Sequence, residues 1–234
     1  YLACNVSGLQ VVDISDPNNC VRVGGCETGG IARQVAVAEN YAYVAQDAGT
    51  TSQQAGLCVI DISNPTNCVP VGSYEGFGYN DIAVAGNYVY LAGGMGLEII
   101  NVSNPTNCVL VSYDGGPSGV SIAVRGNNAY LGTWANGLQV FDISNPTNCI
   151  FLGYWGNTWP NDSVIWSVAV AGNYAFIVGD EGFQAINISN PSRCVRVGGF
   201  PTSGSIPGVA VAGNYAYVAD VGAGLKVISI SNPA

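Results

Sequence analysis

The sequence predicts an all-β protein built from repeated, four-stranded antiparallel units, which is the pattern of a β-propeller. A motif of the type Asp-Ile-Ser-Asn-Pro recurs six times in the 234 residues, at proline spacings of 48, 40, 41, 45 and 42. A second motif, of the type Val-Ala-Val-Ala-Gly-Asn-Tyr-Ala-Tyr, recurs five times. No segment shows the 3.6-residue apolar period of an amphipathic helix. The repeated prolines are Pro17, Pro65, Pro105, Pro146, Pro191 and Pro233.

Each repeat divides into four strands, which we name A to D in chain order. Strand A, such as VAVA at 168–171, ends in a Gly-Asn dipeptide that tolerates positive φ and predicts a tight hairpin to strand B. A loop of variable length leads from strand B to strand C, such as GFQAINIS at 182–189. Asn-Pro then ends strand C, because proline lacks the N–H that a central strand needs. The segment that follows, such as CVRVGGF at 194–200, is strand D.

The third strand of the repeat carries a resemblance to a known family. The segment GLCVIDIS at 56–63, followed by NPTN, resembles the LVIVD repeat, and the resemblance covers essentially the whole chain. It implies a propeller fold but no particular chemistry, since such repeats occur in many bacterial and archaeal surface proteins. The chain departs from the family pattern three residues after each of the first five repeated prolines, where cysteine stands in place of the usual proline.

The repeats do not add up to a whole number of units. Strands B and C occur six times, and strands A and D occur five times, so the chain begins and ends inside a repeat. We expect one β-propeller domain over residues 1–234, with six blades favoured. A five-bladed ring would instead use the first D strand to complete the last blade. An unpaired edge remains in either case, which indicates either completion by a neighbouring subunit or a fragment of a longer polypeptide.

Composition excludes several function classes. The formal charge of −9 argues against a nucleic-acid partner. The absence of histidine removes Ser-His-Asp and Cys-His nucleophiles and histidine metal sites. No run of 18 apolar residues is present, so we expect no membrane-spanning segment. No paired carboxylates and no phosphate-cradling glycine loop stand out. The sequence therefore predicts no enzyme, no cofactor and no metal site.

The loops that join strands D to A and B to C vary in length and are expected on one face of the blades. Variable loops on a rigid scaffold are common binding sites. The four tryptophans fall in or beside these loops within two adjacent blades, and they either form an exposed binding surface for a glycan or a protein or pack the long loop onto the blades. Acidic residues on the same face indicate solubilising charge more than a Ca²⁺ site. The tryptophans are Trp134, Trp155, Trp159 and Trp166.

Eight cysteines are disulfide candidates, five of them at the start of strand D. Equivalent points on neighbouring blades are separated by about 10 Å or more, which exceeds the reach of a disulfide, so these five should not pair around the ring. Cys4 and Cys26 are the expected local pair, and small buried thiols are the alternative. The eight are Cys4, Cys20, Cys26, Cys58, Cys68, Cys108, Cys149 and Cys194.

The even cysteine count favours an extracellular or cell-surface location. Four Asn-x-Ser/Thr sequences are glycosylation candidates if the host carries the machinery. They begin at Asn5, Asn101, Asn161 and Asn187.

Two further positions recur in strand C. Asp13, Asp61 and Asp142 share one site with Asn and Ser in other repeats, which predicts a turn hydrogen bond rather than proton transfer. Lys226 stands where other repeats carry Gln, Glu or Cys, which indicates a variable, exposed site.

These observations predict a non-enzymatic structural protein of the cell surface or extracellular space. We expect it to assemble with copies of itself, head to tail, through unpaired blade edges, a filament being one such assembly. The alternative is a propeller module that binds a carbohydrate or a cell-surface protein through its variable loops.

Overall fold

The computed structural model describes residues 1–48, 55–156, 164–202 and 207–233. Within these ranges every regular element is a β-strand, and none is a helix. The 22 strands form six antiparallel sheets. The chain divides into two compact units, residues 1–113 and 114–234, and each unit contains three of the sheets.

Unit 1 contains sheets 1 to 3. Sheet 1 has β1 (Leu2–Ala3), β2 (Leu9–Asp13) and β3 (Val21–Cys26). Sheet 2 has β4 (Ile31–Ala38), β5 (Tyr41–Asp47), β6 (Gly56–Asp61) and β7 (Val69–Glu75). Sheet 3 has β8 (Tyr79–Ala85), β9 (Tyr88–Gly93), β10 (Gly96–Asn101) and β11 (Val109–Tyr113).

Unit 2 contains sheets 4 to 6. Sheet 4 has β12 (Gly119–Arg125), β13 (Asn128–Thr133), β14 (Leu138–Asp142) and β15 (Ile150–Trp155). Sheet 5 has β16 (Ile165–Ala171), β17 (Tyr174–Gly179), β18 (Gly182–Asn187) and β19 (Val195–Phe200). Sheet 6 has β20 (Gly208–Ala212), β21 (Tyr215–Asp220) and β22 (Gly224–Ser229).

The strand order confirms the predicted repeat and the all-β, propeller class. Sheets 2 to 5 pair in the order A-B-C-D, sheet 1 contains B, C and D, and sheet 6 contains A, B and C. The six-bladed alternative is correct and the five-bladed one is wrong. The first D strand, β3, pairs with β2 in its own sheet and is not used to complete the last one.

The core lies between successive sheets of each unit, because strands B and C are apolar on both faces. Leu57 and Val59 of sheet 2 pack with Leu91 and Ile100 of sheet 3. In unit 2, Leu138 and Val140 of sheet 4 pack with Ile177 and Ile186 of sheet 5. Burial on both faces explains why these strands read as continuous apolar runs rather than as alternating patterns.

The hairpin between strands A and B requires positive φ at its first turn residue. Glycine occupies this position in four sheets, sheets 3 to 6, for example Gly86 at φ 56° and Gly213 at φ 56°. Sheet 2 carries Glu39 there, at φ 52°. The predicted Gly-Asn hairpin is therefore confirmed, and its sequence requirement is a local backbone effect.

Every pairing of strand C with strand D contains a β-bulge at the same point. The register shifts between Val11 and Val12 in β2 and at the equivalent residues of β6, β10, β14 and β18. The next D residue is glycine or serine, as at Gly72, where an added Cβ would collide with the carbonyl oxygen of Pro105. The small residue thus makes room for the Asn-Pro turn of the following sheet.

The turn after strand C is closed by its own side chains. The backbone N–H of Ser63 donates to the Asp61 carboxylate at 2.8 Å, and the equivalent bond recurs at Asp13 and Asp142. These bonds hold the pKa of the three carboxyl groups below its usual range. The turn role predicted for the recurrent aspartate is confirmed.

The repeated position occupied by Lys226 was predicted to be exposed, and this is wrong for most repeats. Its equivalents Cys58, Glu98, Gln139 and Gln184 are buried. The side chain at this position lies on the same strand face as the apolar residue two positions later, so a preceding sheet can cover it.

Candidate functional site

The outer edge of sheet 6 differs from the edges of the other sheets. Its edge strand is β22, a C strand that pairs with β21 over six residues without a register shift. Sheets 1 to 5 end instead in a bulged D strand. A bulge twists an edge and opposes pairing with another chain. Among the described strands, β22 is the outer edge strand without a β-bulge.

One face of sheet 6 is apolar and open. Leu225 and Val227 are 68% and 56% exposed, whereas the equivalent Phe183 and Ala185 of sheet 5 are 3% and 2% exposed. Tyr215 of β21 is exposed on the same side. Sheet 6 itself covers Phe183 and Ala185 through Ala216 and Val218. We call Tyr215, Tyr217, Leu225 and Val227 the open face of sheet 6.

The backbone of β22 also presents hydrogen-bonding groups at the open edge. The N–H of Ile230 donates to the carbonyl of Asn214 at 2.8 Å, on the β21 side. Backbone groups alternate between the two sides of an antiparallel strand, so the N–H groups of Val227 and Ser229 point to the open edge.

The single charged side chain of β22 is engaged on the other face. Lys226 Nζ lies 2.7 Å from Asp220 Oδ2 and 5.9 Å from the centroid of the Phe200 ring. The bond from Lys226 holds the pKa of Asp220 below its usual range. Lys226 therefore faces sheet 5, and its charge does not lie on the open face of sheet 6.

Two of the predicted tryptophans meet at the loop ends of sheets 4 and 5. Trp134 and Trp166 form an edge-to-face contact, with ring centroids 4.9 Å apart and planes at 83°. The indole N–H of Trp166 donates to Asp180 at 3.1 Å, and Trp134 is 45% exposed. The Thr133 hydroxyl donates to the Gly137 carbonyl at 2.9 Å and thereby closes the turn that carries Trp134.

The other two tryptophans do not join this pair in the described structure. Trp155 packs on the core between sheets 4 and 5. Trp159 lies outside the described residues. The predicted placement in two adjacent blades is confirmed for the three described tryptophans, and their binding role stays a prediction.

Sheet 3 contains a buried acid that the sequence did not predict. Glu98 is 3% exposed, and its Oε2 accepts a 2.7 Å hydrogen bond from the Tyr79 hydroxyl, while Oε1 has no partner. Burial raises the pKa of Glu98 above its ordinary range and also raises that of Tyr79. The signal in the sequence is an acid inside an apolar C strand.

None of the eight cysteines forms a disulfide, so the expected bridge between Cys4 and Cys26 is not formed. The repeated thiols contact their turns instead, as Cys68 Sγ does at 3.5 Å from the Pro65 carbonyl oxygen and Cys108 Sγ does at 3.6 Å from that of Pro105. Cys20 is exposed, Cys68 is buried, and Cys149 and Cys194 are half-buried. Burial raises the pKa of Cys58 to about 12 and that of Cys26 to about 11.

The glycosylation candidates occupy different surroundings. Asn5 is exposed at the start of sheet 1. Asn101 and Asn187 are half-buried and accept turn hydrogen bonds from Ser103 and Ser189. Asn161 lies outside the described residues.

The described residues also bear on two other kinds of site. No cluster of three or more metal-ligating His, Cys, Asp or Glu side chains occurs in these ranges. No helix in them is long and apolar enough to cross a membrane.

The repeated A-B-C-D sheets and their Asn-Pro turns define a protein of the β-propeller repeat class. The family model of the LVIVD repeat matches residues 1–28, 29–76, 79–114, 118–155, 165–202 and 203–234. The chain therefore belongs to the LVIVD-repeat family. No curated protein sequence matches it.

Solved structures share the fold at low sequence identity. A chain of a structure titled "Crystal structure of Nidogen/Laminin Complex" aligns with a TM-score of 0.68 and 11% identity, over 98% of this chain and 89% of that one. The computationally designed Ika8 protein aligns at 0.61 and 13%, over 88% and 73%. The designed Ika4 protein aligns at 0.57 and 15%, over 69% and 98%.

Proposed function

We propose that this LVIVD-repeat propeller is a non-enzymatic structural protein of the cell surface or extracellular space that assembles with copies of itself. The observation that carries the proposal is the open edge of sheet 6. Strand β22 pairs regularly with β21 over six residues, and alternate backbone groups, such as the N–H of Val227, point to the other edge beside an apolar face. Such an edge is a template for strand addition by another chain.

The two three-stranded sheets, 1 and 6, present different edges, which favours a head-to-tail contact. Among the described residues, sheet 1 contains only B, C and D strands and sheet 6 contains only A, B and C strands. Contact between two different surfaces is heterologous, and repetition of such a contact produces a ring or a filament. The exposed Leu2 on β1 and Leu225 on β22 are apolar groups that such a contact would remove from water.

Two proline variants test the proposal. Val227→Pro removes an N–H that points to the open edge and leaves the bonds to β21 in place. Arg196→Pro is the matched control, because it places proline in the bulged edge of sheet 5 where sheet 2 carries Pro70.

The measurement is sedimentation velocity over a concentration series, with electron microscopy of the same samples. We expect linear oligomers for the unmodified chain and for Arg196→Pro, and at least about tenfold weaker association for Val227→Pro. A chain that sediments as a monomer throughout the series would overturn the proposal.

A second candidate function rests on the tryptophan pair. An exposed aromatic ring beside a carboxylate suits a sugar, which stacks on the ring and hydrogen-bonds to the acid. Trp134 and Asp180 provide these two groups. A glycan array should show binding that Trp134→Ala abolishes and that Phe77→Ala, at an exposed aromatic residue of unit 1, leaves intact. An array without any bound glycan rejects this function.

A further inference from the structure

A polar groove opens between sheets 4 and 5, at the end where their A–B hairpins and C–D turns lie. Its volume is about 440 Å³, which falls within the range of about 300–1,000 Å³ that small-molecule sites occupy. The buried Tyr130 and Ile188 form its floor. Arg125 is the charged residue of the lining, and no acid lines the groove among the described residues. We call it the turn-side groove, and its other polar lining residues are Asn127, Asn128, Asn173 and Ser189.

Unit 1 contains an equivalent groove between sheets 2 and 3, which provides an internal comparison. Tyr43 and Val102 form its floor, at the repeat positions of Tyr130 and Ile188. Its volume is about 230 Å³, which is below the usual range of small-molecule sites. The other matching lining residues are Gly86, Asn87, Ser103 and Pro105, in place of Gly172, Asn173, Ser189 and Pro191.

The two grooves differ where the first sheet of each pair contributes its hairpin. Sheet 4 carries Arg125–Gly126, and sheet 2 carries Ala38–Glu39 at the same positions of the repeat. Asn128 likewise stands where sheet 2 has the larger Tyr41. The groove of unit 1 is therefore acidic and narrower, whereas the turn-side groove is basic and wider.

The guanidinium of Arg125 can reach a ligand in the groove. Arg125 is exposed, and it takes part in no ion pair within the described ranges. Burial raises the pKa of Tyr130, whereas a hydrogen bond from Asn128 and the charge of Arg125 oppose that rise, so the guanidinium lies near the floor. Asp142 is opposite Asn128 in the neighbouring strand, but its carboxylate accepts the Ser144 N–H at 2.8 Å in its own turn. A guanidinium in this setting suits a carboxylate, which it can bind through two parallel hydrogen bonds.

The rest of the lining suits a molecule that is rich in hydroxyl groups. The side-chain amides of Asn127 and Asn173 each offer hydrogen-bond donors and an acceptor. The Ser189 hydroxyl donates to Asn187 at 2.7 Å, which leaves its lone pairs to accept a further hydrogen bond. A carboxylate for the guanidinium, together with hydroxyl groups for the amides, describes a sugar acid.

We infer that the turn-side groove binds a small sugar acid, with the Arg125 guanidinium on its carboxylate and the asparagine amides on its hydroxyl groups. The site goes beyond the proposed assembly, which uses sheet 6, and it is separate from the tryptophan pair. Strand β13 begins with Asn128 at the groove and ends with Thr133, beside Trp134, so Asn128 and Trp134 lie about 20 Å apart.

The test is a titration of the isotope-labelled chain with the sodium salts of D-glucuronate, D-galacturonate and D-gluconate, followed through the amide NMR shifts. D-Glucose, which lacks the carboxylate, and acetate, which lacks the hydroxyl groups, are the matched ligands. We expect shifts at Gly126, Asn128 and Ser189 with at least one sugar acid, and at least about tenfold weaker binding of glucose and of acetate. Added NaCl should weaken the binding of the sugar acid, because it screens the exposed guanidinium. The inference is overturned if none of the three acids shifts these amides, or if glucose binds equally well.

Two variants give sheet 4 the hairpin residues of sheet 2. Arg125→Ala removes the guanidinium and Gly126→Glu adds an acid, so each should weaken binding of the sugar acid at least about tenfold. Both should fold, because sheet 2 already carries Ala38–Glu39 there, and an added Cβ at Gly126 meets nothing within 4 Å. Arg196→Ala, at the outer edge of sheet 5, and Trp134→Ala are the controls that should leave the affinity unchanged. Unaltered binding by Arg125→Ala would overturn the site.

The converse variant transfers the site to unit 1. The triple substitution Ala38→Arg, Glu39→Gly and Tyr41→Asn gives the groove of sheets 2 and 3 the lining of its counterpart. We expect new shifts at Asn87 and Ser103 and one more bound ligand per chain. A triple variant that keeps the native amide spectrum but shows no such shifts would overturn the assignment of binding to these hairpin residues.

Discussion

Strands β18 and β22 are the same element of the repeat in neighbouring sheets, yet their side chains meet opposite surroundings. Phe183 and Ala185 of β18 are buried between sheets 5 and 6, whereas Leu225 and Val227 of β22 are open to solvent. Both strands are apolar at these positions, and both pair with their B strand over six residues. The difference shows that burial in this fold comes from the next sheet and the outer strand, not from the strand's own sequence.

The largest expected difference is in stability. Phe183 packs on the rings of Phe176 and Phe200, at centroid distances of 6.1 and 5.4 Å, so Phe183→Ala should lower the free energy of unfolding by about 3–5 kcal/mol. Leu225→Ala removes an exposed side chain and should change it by about 0.5 kcal/mol or less. Urea unfolding of dilute protein measures both. Equal losses of stability would show that Leu225 is buried in solution, which would contradict the contrast between β18 and β22.

Thiol reactivity extends the comparison to sheet 2. Cys58 occupies the buried strand-C position, and burial raises its pKa to about 12, whereas Cys20 is exposed. Because the thiolate is the reactive form, Cys58 should react with an alkylating reagent at neutral pH about a hundredfold more slowly than Cys20. Peptide mapping by mass spectrometry identifies the labelled residues. Eight labels after denaturation without reductant are expected, and a count of six would reveal a disulfide.

The pH dependence of stability should have opposite signs for the Glu98 carboxyl group of sheet 3 and for the Asp220 carboxyl group of sheet 6, which pairs with Lys226. Burial raises the pKa of Glu98 above its ordinary value of 4.5, so its contribution to stability is present below that pH and is lost as pH rises through the folded pKa. The pKa of Asp220, the partner of Lys226, is lowered from 3.8, so its contribution is present above that pH and is lost on acidification.

Two variants separate these signs in thermal unfolding. Glu98→Gln keeps a neutral acceptor for Tyr79, so its advantage over the unmodified chain should grow as pH rises from 4 towards 7. Lys226→Met should cost most near neutral pH and least in acid. Parallel pH profiles for the two variants would contradict the opposite pKa shifts assigned to Glu98 and Asp220.

The smallest expected difference between sheets 5 and 6 is in their hairpin turns, because no neighbouring sheet packs on these turns. Gly172 of sheet 5 and Gly213 of sheet 6 have φ values of 57° and 56°, and an added Cβ at either would meet nothing within 4 Å. Substitution by alanine should therefore cost about 1 kcal/mol at both sites, from backbone conformation alone. Chemical denaturation checks the equality. A much larger loss at one turn would show a contact that distinguishes the two sheets.

Much of the fold follows from short-range features of the sequence. The Gly-Asn hairpins, the Asn-Pro stops and the aspartate turns were predictable because each depends on neighbouring residues, as Asp61 and Ser63 illustrate. The strand count also identified the incomplete sheets. The candidate site could be predicted only in part. The strand count of the repeats singles out sheet 6, but the exposure of Leu225 depends on what packs against it.

The incorrect predictions concern positions of the repeat that have different neighbours in different sheets. Lys226, Glu98 and Cys58 are equivalent in the repeat, and their chemical variety predicts an exposed position, although Glu98 and Cys58 are buried. The C–D bulge was also missed, because the extra residue is an ordinary valine or leucine inside an apolar strand. No local signal separates such a residue from a regularly paired one.

The sequence by itself determined the six repeats, the order of strands within each sheet and the turns that separate them, since these depend on backbone conformation over a few residues. Tertiary structure alone decided which apolar strands are covered, because that depends on the sheet packed against each of them. Strands with nearly the same residues are core in sheet 5 and an open edge in sheet 6.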